Sequence, residues 1–420
     1  MKKMLLTILI TMFVSVCMGA SNLTSDFSVN FDCGKEIVKF VDEKYTADNH
    51  IIYEEIISRK INSPISEKKK EVLRLIEEGK SEKTAVLSCF PALQKTYERI
   101  YKMAYVEPID SNIKFSPDKS TMFTVSREKY GEEVSEEDFY SDFVCALFLG
   151  KTNIKIKMKK IKPSLTVKDN ENYLYKKATY STSVETSTAS RKHNIELALS
   201  SINGTVLKKG ETMSFNTKTG IRNEENGYKT AKIIVGNEYV DGVGGGVCQA
   251  STTLYNCALL AGLEVLSVNS HSLLPSYVEP SFDAMVNMGS SDLVIKNNSG
   301  GPVFIKAQVE NGKATVTVYG RKNEYDIRKR SKTVYKGEVP EDKTVYDSEN
   351  KYFSVDEKTD MKRVSFSQPK IKSEGYLVYY KNGVKQKEVL IREDVYNSKR
   401  GILAYRVENK NDAVFFCIII

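Results

Sequence analysis

The chain is poor in the residues that build metal sites and disulfide frameworks. Of its 420 residues only three are histidine, seven are cysteine and none is tryptophan. No His-x-x-x-His or Cys-x-x-Cys spacing is present, which argues against a zinc hydrolase. The cysteines are spaced widely and irregularly, which predicts no dense disulfide framework; at most Cys33 meets Cys89. We expect neither a metal ion nor any other cofactor.

A strong excess of charge of one sign is also missing. The chain has 62 Lys and Arg against 54 Asp and Glu, a net charge of +8. Nucleic-acid binding requires basic residues that cluster on one face, and the sequence has no such cluster. We therefore expect no nucleic-acid partner. The mild positive balance permits attraction to anionic surfaces such as wall polymers or lipid head groups.

The longest apolar run lies at the N-terminus. Lys2 and Lys3 precede an apolar stretch from Met4 to Met18, which has the length of a signal peptide rather than the ~20 residues of a spanning helix. The small residue Gly19 fits a cleavage site after it. We expect export to the cell wall or the outer face of the cytoplasmic membrane, with the leader either cleaved or kept as an N-terminal anchor. That anchor would be the one contact with a membrane.

Changes in composition and periodicity predict a multidomain α+β protein. A helical module follows the leader, then a small α+β module, then a central α+β domain and finally a β-rich accessory module. The predicted boundaries are 1–20 for the leader, 30–105 for the helical module, 106–170 for the small α+β module, 181–321 for the central domain and 336–420 for the β-rich module.

Two patterns in the first half of the chain lead to specific predictions. From Glu36 onwards apolar residues recur at helical spacing, so that Ile37, Phe40 and Val41 share one face. Between Ile154 and Lys159 apolar residues alternate with lysine, which predicts a strand with one buried and one basic face. Such a strand is either a sheet edge protected by lysine or a contact for an acidic wall polymer.

The second half of the chain has two Asn-Gly pairs between apolar runs. This dipeptide is a strong signal for a two-residue hairpin turn, because both positions tolerate positive φ. Asn311-Gly312 separates the runs 303–309 and 314–319, which with 293–295 predict a meander, and Asn382-Gly383 predicts a second hairpin.

A glycine-rich loop followed by a cysteine is the feature most suggestive of chemistry. Gly244-Gly245-Gly246 leads into Val247-Cys248-Gln249 and then into apolar residues at helical spacing, with Gly262 as the stop. Cys248 therefore lies at a helix N-terminus, where free N–H groups and the helix dipole favour the thiolate. The alternative is a buried cysteine that acts as a small hydrophobic residue.

Several motifs in the central domain together resemble the VanW domain. Two positions depart from the usual pattern of that family: Lys209 stands where proline is common, and Pro280-Ser281-Phe282 replaces a glycine-containing turn. Residues 106–170 are similar in pattern to the peptidoglycan-binding module that often precedes this domain. The motifs that carry the resemblance are Arg191 with Asn194-Ile195, Gly210-Glu211-Thr212, Ser214-Phe215-Asn216, Gly220 with Arg222, Asn226-Gly227-Tyr228, Gly244 to Gln249, Ser251 to Asn256, Ala261-Gly262-Leu263, His271-Ser272, Tyr277-Val278 and Asp283-Ala284.

The resemblance implies a function in the cell wall. VanW domains are named after glycopeptide-resistance gene clusters, and members from Gram-positive bacteria are regarded as peptidoglycan L,D-transpeptidases with a cysteine nucleophile. By that resemblance Cys248 is the nucleophile, stem peptides are the partners, and a thioester intermediate leads to 3–3 cross-links. Acyl transfer also needs a base, a group that orients it and donors for the oxyanion. The residues we predict for these roles are His271 as base, Asp283 or Tyr277 as orienting group, Arg222 for a substrate carboxylate, and Gly245, Gly246 and Val247 as the oxyanion loop.

A second hypothesis comes from a different functional class. The protein would be an exported, non-catalytic peptidoglycan-binding protein linked to cell-wall maintenance or glycopeptide resistance. Cys248 would then be structural, and the glycines would form a nest for a bound peptide. The two hypotheses make different predictions for Cys248. An enzyme requires a reactive cysteine of low pKa, whereas a binding protein keeps its affinity for peptidoglycan after Cys248→Ala.

Overall fold

The computed structural model describes residues 28–34, 36–41, 65–235, 238–349, 351–353 and 359–406. The predicted leader and the apolar C-terminal tail lie outside these residues. The chain divides into two compact units, one within Met1–Asn112 and Arg127–Val167 and the other within Ile113–Ser126 and Lys168–Ile420. Helices and several small sheets occur together, which confirms the α+β, multi-module class. In the described part of the chain, no helix is long and apolar enough to cross a membrane.

Helices and strands are labelled here in chain order over the described residues. The helices are α1 (Ile65–Glu77), α2 (Glu82–Cys89), α3 (Leu93–Ala104), α4 (Glu136–Leu149), α5 (Val167–Glu171), α6 (Ala189–Ile202), α7 (Phe215–Thr219) and α8 (Val247–Leu260). The strands are β1 (Ser28–Asp32), β2 (Ile37–Val41), β3 (Ile113–Phe115), β4 (Phe123–Val125), β5 (Gly131–Val134), β6 (Asn153–Lys155), β7 (Met158–Ile161), β8 (Tyr175–Ser183), β9 (Thr205–Leu207), β10 (Thr212–Ser214), β11 (Thr230–Val235), β12 (Glu238–Val243), β13 (Glu264–Ser267), β14 (Val294–Lys296), β15 (Val303–Glu310), β16 (Lys313–Gly320), β17 (Asp326–Lys336), β18 (Lys343–Asp347), β19 (Met361–Ser365), β20 (Ile371–Lys381), β21 (Val384–Tyr396) and β22 (Ile402–Arg406).

The first unit packs helices against two small sheets. Strand β1 pairs antiparallel with β2 and parallel with β6, and β5 pairs with β7. Aromatic rings fill the core: Phe31 stacks on Phe139 with ring centroids 4.8 Å apart, and Phe143 meets Phe40 edge to face at 5.7 Å. These offset and edge contacts are the arrangements that aromatic pairs prefer. Within the described residues, no disulfide joins Cys33 to Cys89.

Two local predictions in the first unit are wrong. Residues Ile37–Val41 form a strand rather than a helix, because exposed Ile37 and Lys39 alternate with buried Val38 and Phe40. That period of two fits a half-buried strand, and pairing with β1 decides between the two interpretations. The alternating run that starts at Ile154 is also not one strand, because its halves belong to different sheets, β6 with β1 and β7 with β5.

The second unit begins with a four-stranded antiparallel sheet in the order β8-β16-β15-β9. Helix α8 packs on β8 and β16, and α6 packs on β15. The hairpin predicted at Asn311-Gly312 is confirmed, with φ values of 51° and 72°. The meander is wrong in one respect, because β14 joins β10 and β13 in a separate sheet. Strands β11 and β12 form a further hairpin.

The C-terminal module consists of β17 to β22. It contains two three-stranded sheets, β17-β20-β21 and β18-β22-β19. The hairpin between β20 and β21 turns at Asn382 and Gly383, with φ values of 52° and 79°, as predicted. Strand β21 is long, and its C-terminal half contacts the loop that carries Asp283.

Candidate active site

The glycine-rich loop is shaped by close contacts at two of its glycines. Gly246 has φ 108° and caps α8, and a Cβ there would lie 3.0 Å from the Arg191 carbonyl oxygen. At Gly245 a Cβ would lie 2.7 Å from the Ala231 backbone. The buried Asn194 side chain donates to the Gly245 carbonyl oxygen at 2.9 Å. Only glycine fits both positions, and the loop therefore starts the helix in one defined orientation.

Cys248 is the second residue of α8 and is partly exposed. Its sulfur atom lies 3.4 Å from the Val286 carbonyl oxygen and is hydrogen-bonded to the side chain of His271. Burial alone would raise the pKa of the thiol, but the hydrogen bond and charge of His271, a backbone hydrogen bond with Val286 and the charge of Arg222 lower it below the ordinary value. Cys248 thus has the electrostatic environment of a reactive thiolate.

His271 lies buried between Cys248 and Asp283. Its Nδ1 is 2.6 Å from Asp283 Oδ2, and its backbone N–H donates to the same oxygen at 2.7 Å. An ionised carboxylate only accepts, so Nδ1 carries a proton and Nε2 is left for the cysteine. Burial lowers the pKa of His271, but hydrogen bonds to Asp283 and Cys248 outweigh burial and raise the pKa to about 9.

Asp283 is fully buried, and both of its oxygens have donors. Oδ2 faces His271, while Oδ1 accepts from Arg392 Nη2 at 2.7 Å and from the Tyr396 hydroxyl at 2.6 Å. Burial would raise the pKa of the carboxyl, but His271, Arg392 and Tyr396 lower it. Neither Arg392 nor Tyr396 is predictable from the sequence, because no spacing or motif connects β21 to a residue 109 positions earlier.

Polar residues of α8 hold the backbone on either side of Asp283. Ser251 Oγ donates to the Ala284 carbonyl oxygen at 2.6 Å, and Thr252 Oγ1 accepts from the Ala284 N–H at 2.9 Å. Asn256 donates to the Phe282 carbonyl oxygen at 2.7 Å. At helical spacing these side chains share a face with Cys248. This explains why polar residues interrupt an otherwise apolar helix that is almost entirely buried.

Tyr277 and Arg222 contact the surroundings of the thiol rather than the imidazole. The Tyr277 hydroxyl is hydrogen-bonded to Thr252, so Asp283 and not Tyr277 is the partner of His271 Nδ1. Arg222 Nη2 donates to Asn216 at 2.6 Å and to Thr219 at 2.9 Å. Arg222 Nη1 is buried and has no acceptor among the described residues. Burial lowers the pKa of this guanidinium.

The N–H groups at the start of α8 are not equally available. The Val247 N–H donates to the Gly244 carbonyl oxygen at 3.1 Å. Within the described part of the chain, the N–H groups of Gly245, Gly246 and Cys248 donate to no other group. Free N–H groups at this helix terminus are the kind of donor that an oxyanion hole requires. A thiol, an imidazole, a carboxylate and free N–H groups thus lie together, which is the set of groups that acyl transfer requires.

Comparison with known proteins identifies the central domain. A family model described as "VanW like protein" matches residues 190–319. The chain is 41% identical over 140 residues to "Uncharacterized protein YoaR" of Bacillus subtilis (strain 168), covering 33% of this chain and 46% of that protein. It is 28% identical over 112 residues to "Vancomycin B-type resistance protein VanW" of Enterococcus faecalis (strain ATCC 700802 / V583), covering 25% of this chain and 40% of that protein.

The matched segments leave much of each protein uncovered. The chain spans less than half the length of both relatives. Among solved structures, "Crystal structure of HP0197-G5" is similar at 16% identity over 20% of this chain and 99% of that one, with a TM-score of 0.10 that assigns no fold. Cys248, His271 and Asp283 all lie inside the segment matched by the family model. Residues 190–319 of the chain therefore form a VanW-like domain.

Proposed function

We propose that the protein is a peptidoglycan L,D-transpeptidase that forms 3–3 cross-links through a cysteine thioester. The observation that carries the proposal is that Cys248, at the N-terminus of α8, interacts with His271, whose Nδ1 lies 2.6 Å from Asp283 Oδ2. The family relation, which includes a protein named for vancomycin resistance, supports a role in the cell wall. The leader predicted from the sequence fits the same compartment.

Acylation starts from the thiolate–imidazolium pair. The Cys248 thiolate attacks the carbonyl carbon of the bond between residues three and four of a donor stem peptide, and a C–S bond forms. As the tetrahedral intermediate collapses, the C–N bond breaks and His271 gives its Nε2 proton to the leaving amine of D-Ala. Asp283 keeps Nδ1 protonated throughout, because its Oδ2 accepts that proton's hydrogen bond. Enzyme thioester and free D-Ala are the products.

Deacylation reverses the roles. The side-chain amine of a diamino acid in a second stem peptide attacks the thioester carbonyl, and His271 Nε2 accepts the amine's proton. The C–S bond breaks, the thiolate returns and an amide links residue three of one stem to residue three of the other. The imidazole acts as acid in the first step and as base in the second, which is the usual behaviour of one residue in a two-step transfer.

Three free N–H groups are the best candidates for the oxyanion hole. Gly245, Gly246 and Cys248 have N–H groups without acceptors in the described residues, whereas the N–H of Val247 donates to the Gly244 carbonyl oxygen. We therefore keep Gly245 and Gly246 as candidate donors and replace Val247 by Cys248. Removing one such donor typically costs ~10²–10³ in turnover.

Arg222 is our candidate for binding the donor's D-Ala carboxylate. Its buried Nη1 lacks an acceptor among the described residues, and a guanidinium pairs with a carboxylate through two hydrogen bonds. Arg222 is also close enough to Cys248 for its charge to lower the pKa of that thiol. A carboxylate bound there would lie near the scissile bond, because D-Ala is the residue directly after it.

The experiment is incubation of the purified full chain with disaccharide tetrapeptide, followed by intact-mass spectrometry and muropeptide analysis. We expect an acyl adduct and a 3–3 dimer from the parent and from Cys33→Ser, and neither from Cys248→Ala. Unaltered muropeptides and no adduct from folded parent protein would contradict the proposal. Retained binding to peptidoglycan by Cys248→Ala in that case would support the non-catalytic alternative.

The Arg222 role has its own test. Arg222→Gln should raise KM for the tetrapeptide while a substrate with a C-terminal D-Ala amide is used equally poorly by parent and variant. Arg321→Gln, a change at an exposed arginine, is the matched control and should leave KM unchanged. An equal KM for acid and amide substrates in the parent would exclude the carboxylate contact.

A further inference from the structure

We propose that the C-terminal module is part of the active site, and that Arg392 and Tyr396 of β21 are positioning residues that hold the Asp283 carboxylate against His271. The catalytic meaning of this inference rests on the proposed function. The structural part of the inference does not rest on that function, because the reactivity of the Cys248 thiol can be measured without any substrate. The family model ends at residue 319, before the first strand of this module.

The two carboxylate oxygens of Asp283 accept hydrogen bonds from different groups. Arg392 Nη2 and the Tyr396 hydroxyl both donate to Oδ1, at 2.7 and 2.6 Å. Oδ2 is thereby left to accept the N–H and Nδ1–H of His271. Rotation of the carboxyl group would break four hydrogen bonds at once. The module thus determines which oxygen faces the imidazole.

Asp283 is a buried acid whose negative charge must be balanced. Asp283 is 0% exposed, and a carboxylate in such a place stays ionised only if it is paired and hydrogen-bonded. Arg392 supplies the charge, and its Nη1 also donates to the Asp283 carbonyl oxygen at 2.7 Å. Arg392 is in turn held by Asp394, whose Oδ2 accepts from Nε at 2.6 Å. These hydrogen bonds fix the Arg392 guanidinium in its position against Asp283.

The loop that carries Asp283 comprises residues 279–283. Ser281 has φ 64°, a left-handed conformation that favours glycine and is uncommon for serine. The Tyr396 hydroxyl accepts from the Ser281 N–H at 2.8 Å, and Ser373 on β20 lies 2.7 Å from Ser281 Oγ. Ser331 on β17 donates to the Pro280 carbonyl oxygen at 2.8 Å. All three strands of the sheet hold this loop.

The ionisable groups around Asp283 define what a pH measurement on this site reports. Arg392 also lies over the ring of Tyr255, 5.6 Å from its centroid, so α8 contributes to the same cluster. The titratable and charged groups that face the carboxylate are His271, Tyr255, Tyr277, Arg392, Asp394 and Tyr396, with Cys248 on the far side of the imidazole.

The test measures the rate of Cys248 alkylation by iodoacetamide against pH in the full chain, quantified on the Cys248 peptide by mass spectrometry. We expect Arg392→Gln to move the midpoint upwards by up to about one pH unit, because Asp283 loses the charge and the hydrogen bonds that hold its carboxylate against His271. Arg392→Lys should recover part of that shift because it keeps the charge. Tyr396→Phe, which removes one hydroxyl oxygen, should give a smaller upward shift.

Matched controls come from the same sheet. Arg330→Gln removes an arginine that pairs with Glu388 and lies over Tyr376, and Tyr376→Phe removes a hydroxyl that contacts Glu374. Neither contacts the Asp283 loop, and both should keep the parent midpoint. If Arg392→Gln does not fold, the pH profile of Cys248 alkylation in Tyr396→Phe decides whether the inference holds.

The outcomes separate this inference from the proposed function. If folded Arg392→Gln and Tyr396→Phe both have the same alkylation midpoint as the parent, the module only packs against the domain and the inference is overturned. Shifted midpoints together with a parent that makes no cross-links would leave the inference standing and reject transpeptidation. Shifted midpoints and lower turnover, with little change in KM, would support both.

Discussion

The imidazole of His271 lies between two groups that both favour its protonated form. Asp283 accepts from Nδ1 at 2.6 Å, and the Cys248 sulfur is hydrogen-bonded on the other side. A charged imidazolium next to a thiol in turn favours the thiolate. The two pKa values therefore move in opposite directions, that of Cys248 downwards and that of His271 up to about 9. A thiolate–imidazolium pair occupies the pH range between them.

This arrangement predicts the pH dependence of Cys248 and its loss in His271→Ala. In the parent, the rate of Cys248 alkylation falls as pH drops through the lowered pKa of the thiol, so its midpoint should lie below that of an ordinary cysteine. In His271→Ala the thiolate forms only above the ordinary cysteine pKa of about 8.5, so the midpoint should move upwards and the rate at pH 7 should fall. Loss of the acid and base should also lower cross-linking by ~10²–10⁴.

The matched control is His193→Ala. His193 Nε2 lies 2.8 Å from the Gly227 carbonyl oxygen, away from the thiol. The pH profile of Cys248 alkylation in His193→Ala should superimpose on that of the parent. An unchanged profile in His271→Ala would contradict the ion pair.

Asp283 should contribute to stability as well as to chemistry. Its folded-state pKa is lowered, so its contribution is fully present above the unfolded-state value of about 3.9 and is lost as pH falls through the folded value. Asp283→Asn leaves Arg392 buried with one carboxylate fewer, a change that typically costs ~3–5 kcal/mol. We expect that loss in urea unfolding at pH 7, and a smaller difference from the parent near pH 3.

Asp241→Asn serves as the comparison for that measurement. Asp241 pairs with Lys232 at 3.0 Å, but its side chain is 63% exposed. Exposed pairs contribute about 0–1 kcal/mol, so this variant should unfold close to the parent. Equal losses in the two variants would argue that burial of Asp283 has no energetic consequence.

At the scale of elements, α8 combines the roles of core helix and active-site platform. Nearly all of its residues are buried, and its polar side chains bind the backbone that carries Asp283. The direction of the helix is set by the glycine loop before it. The position of the thiol relative to His271 therefore depends on backbone geometry at Gly246 as much as on any side chain.

Gly246→Ala tests that dependence. The new Cβ would be 2.9 Å from Ile195 and 3.0 Å from the Arg191 carbonyl oxygen, in a residue with φ 108°. The positive φ costs about 1–2 kcal/mol by itself, and displacement of the helix start should add to that. We expect a lower urea midpoint and a marked loss of cross-linking. Gly289→Ala, with φ 86° and no atom within 4 Å of its Cβ, isolates the cost of φ and should retain cross-linking.

At the scale of the whole molecule, the VanW domain and the C-terminal module meet around the Asp283 loop. Gly375 on β20 allows this approach, because a Cβ there would lie 3.0 Å from the Ser281 Cβ and carbonyl oxygen. The sheet also has an irregularity between Gly375 and Tyr376, which bends the strand at the contact.

Gly375→Val should push the module away from the loop. Overpacking of this kind typically costs ~1–3 kcal/mol, and the Asp283 carboxylate should lose its fixed orientation. We expect a lower urea midpoint together with a raised alkylation midpoint of Cys248. Gly337→Val introduces the same side chain in the same module next to Tyr335, away from the loop, and should leave the thiol unchanged. A parent-like thiol in Gly375→Val would mean that the loop holds its shape without the module.

Some features of this protein follow from short stretches of sequence. The Asn-Gly hairpins and the start of α8 directly after the glycines are predicted from local patterns, and the structure confirms both. Each depends on the φ preferences and side-chain period of neighbouring residues. Local chemistry also indicates that Cys248 lies at a helix N-terminus.

Other features depend on contacts between distant parts of the chain. The pattern at Ile37–Val41 fits a helix or a strand, and pairing with β1 decides for the strand. Asp283 and Tyr277 were both open as partners of His271 until the structure brought Asp283 within 2.6 Å. Arg392 and Tyr396 reach Asp283 across 109 and 113 residues. Spacing along a chain carries no information about such contacts, because folding brings together residues from separate strands. The sequence by itself therefore determined the candidate nucleophile and its helix, and the tertiary structure decided which groups hold its partners in place.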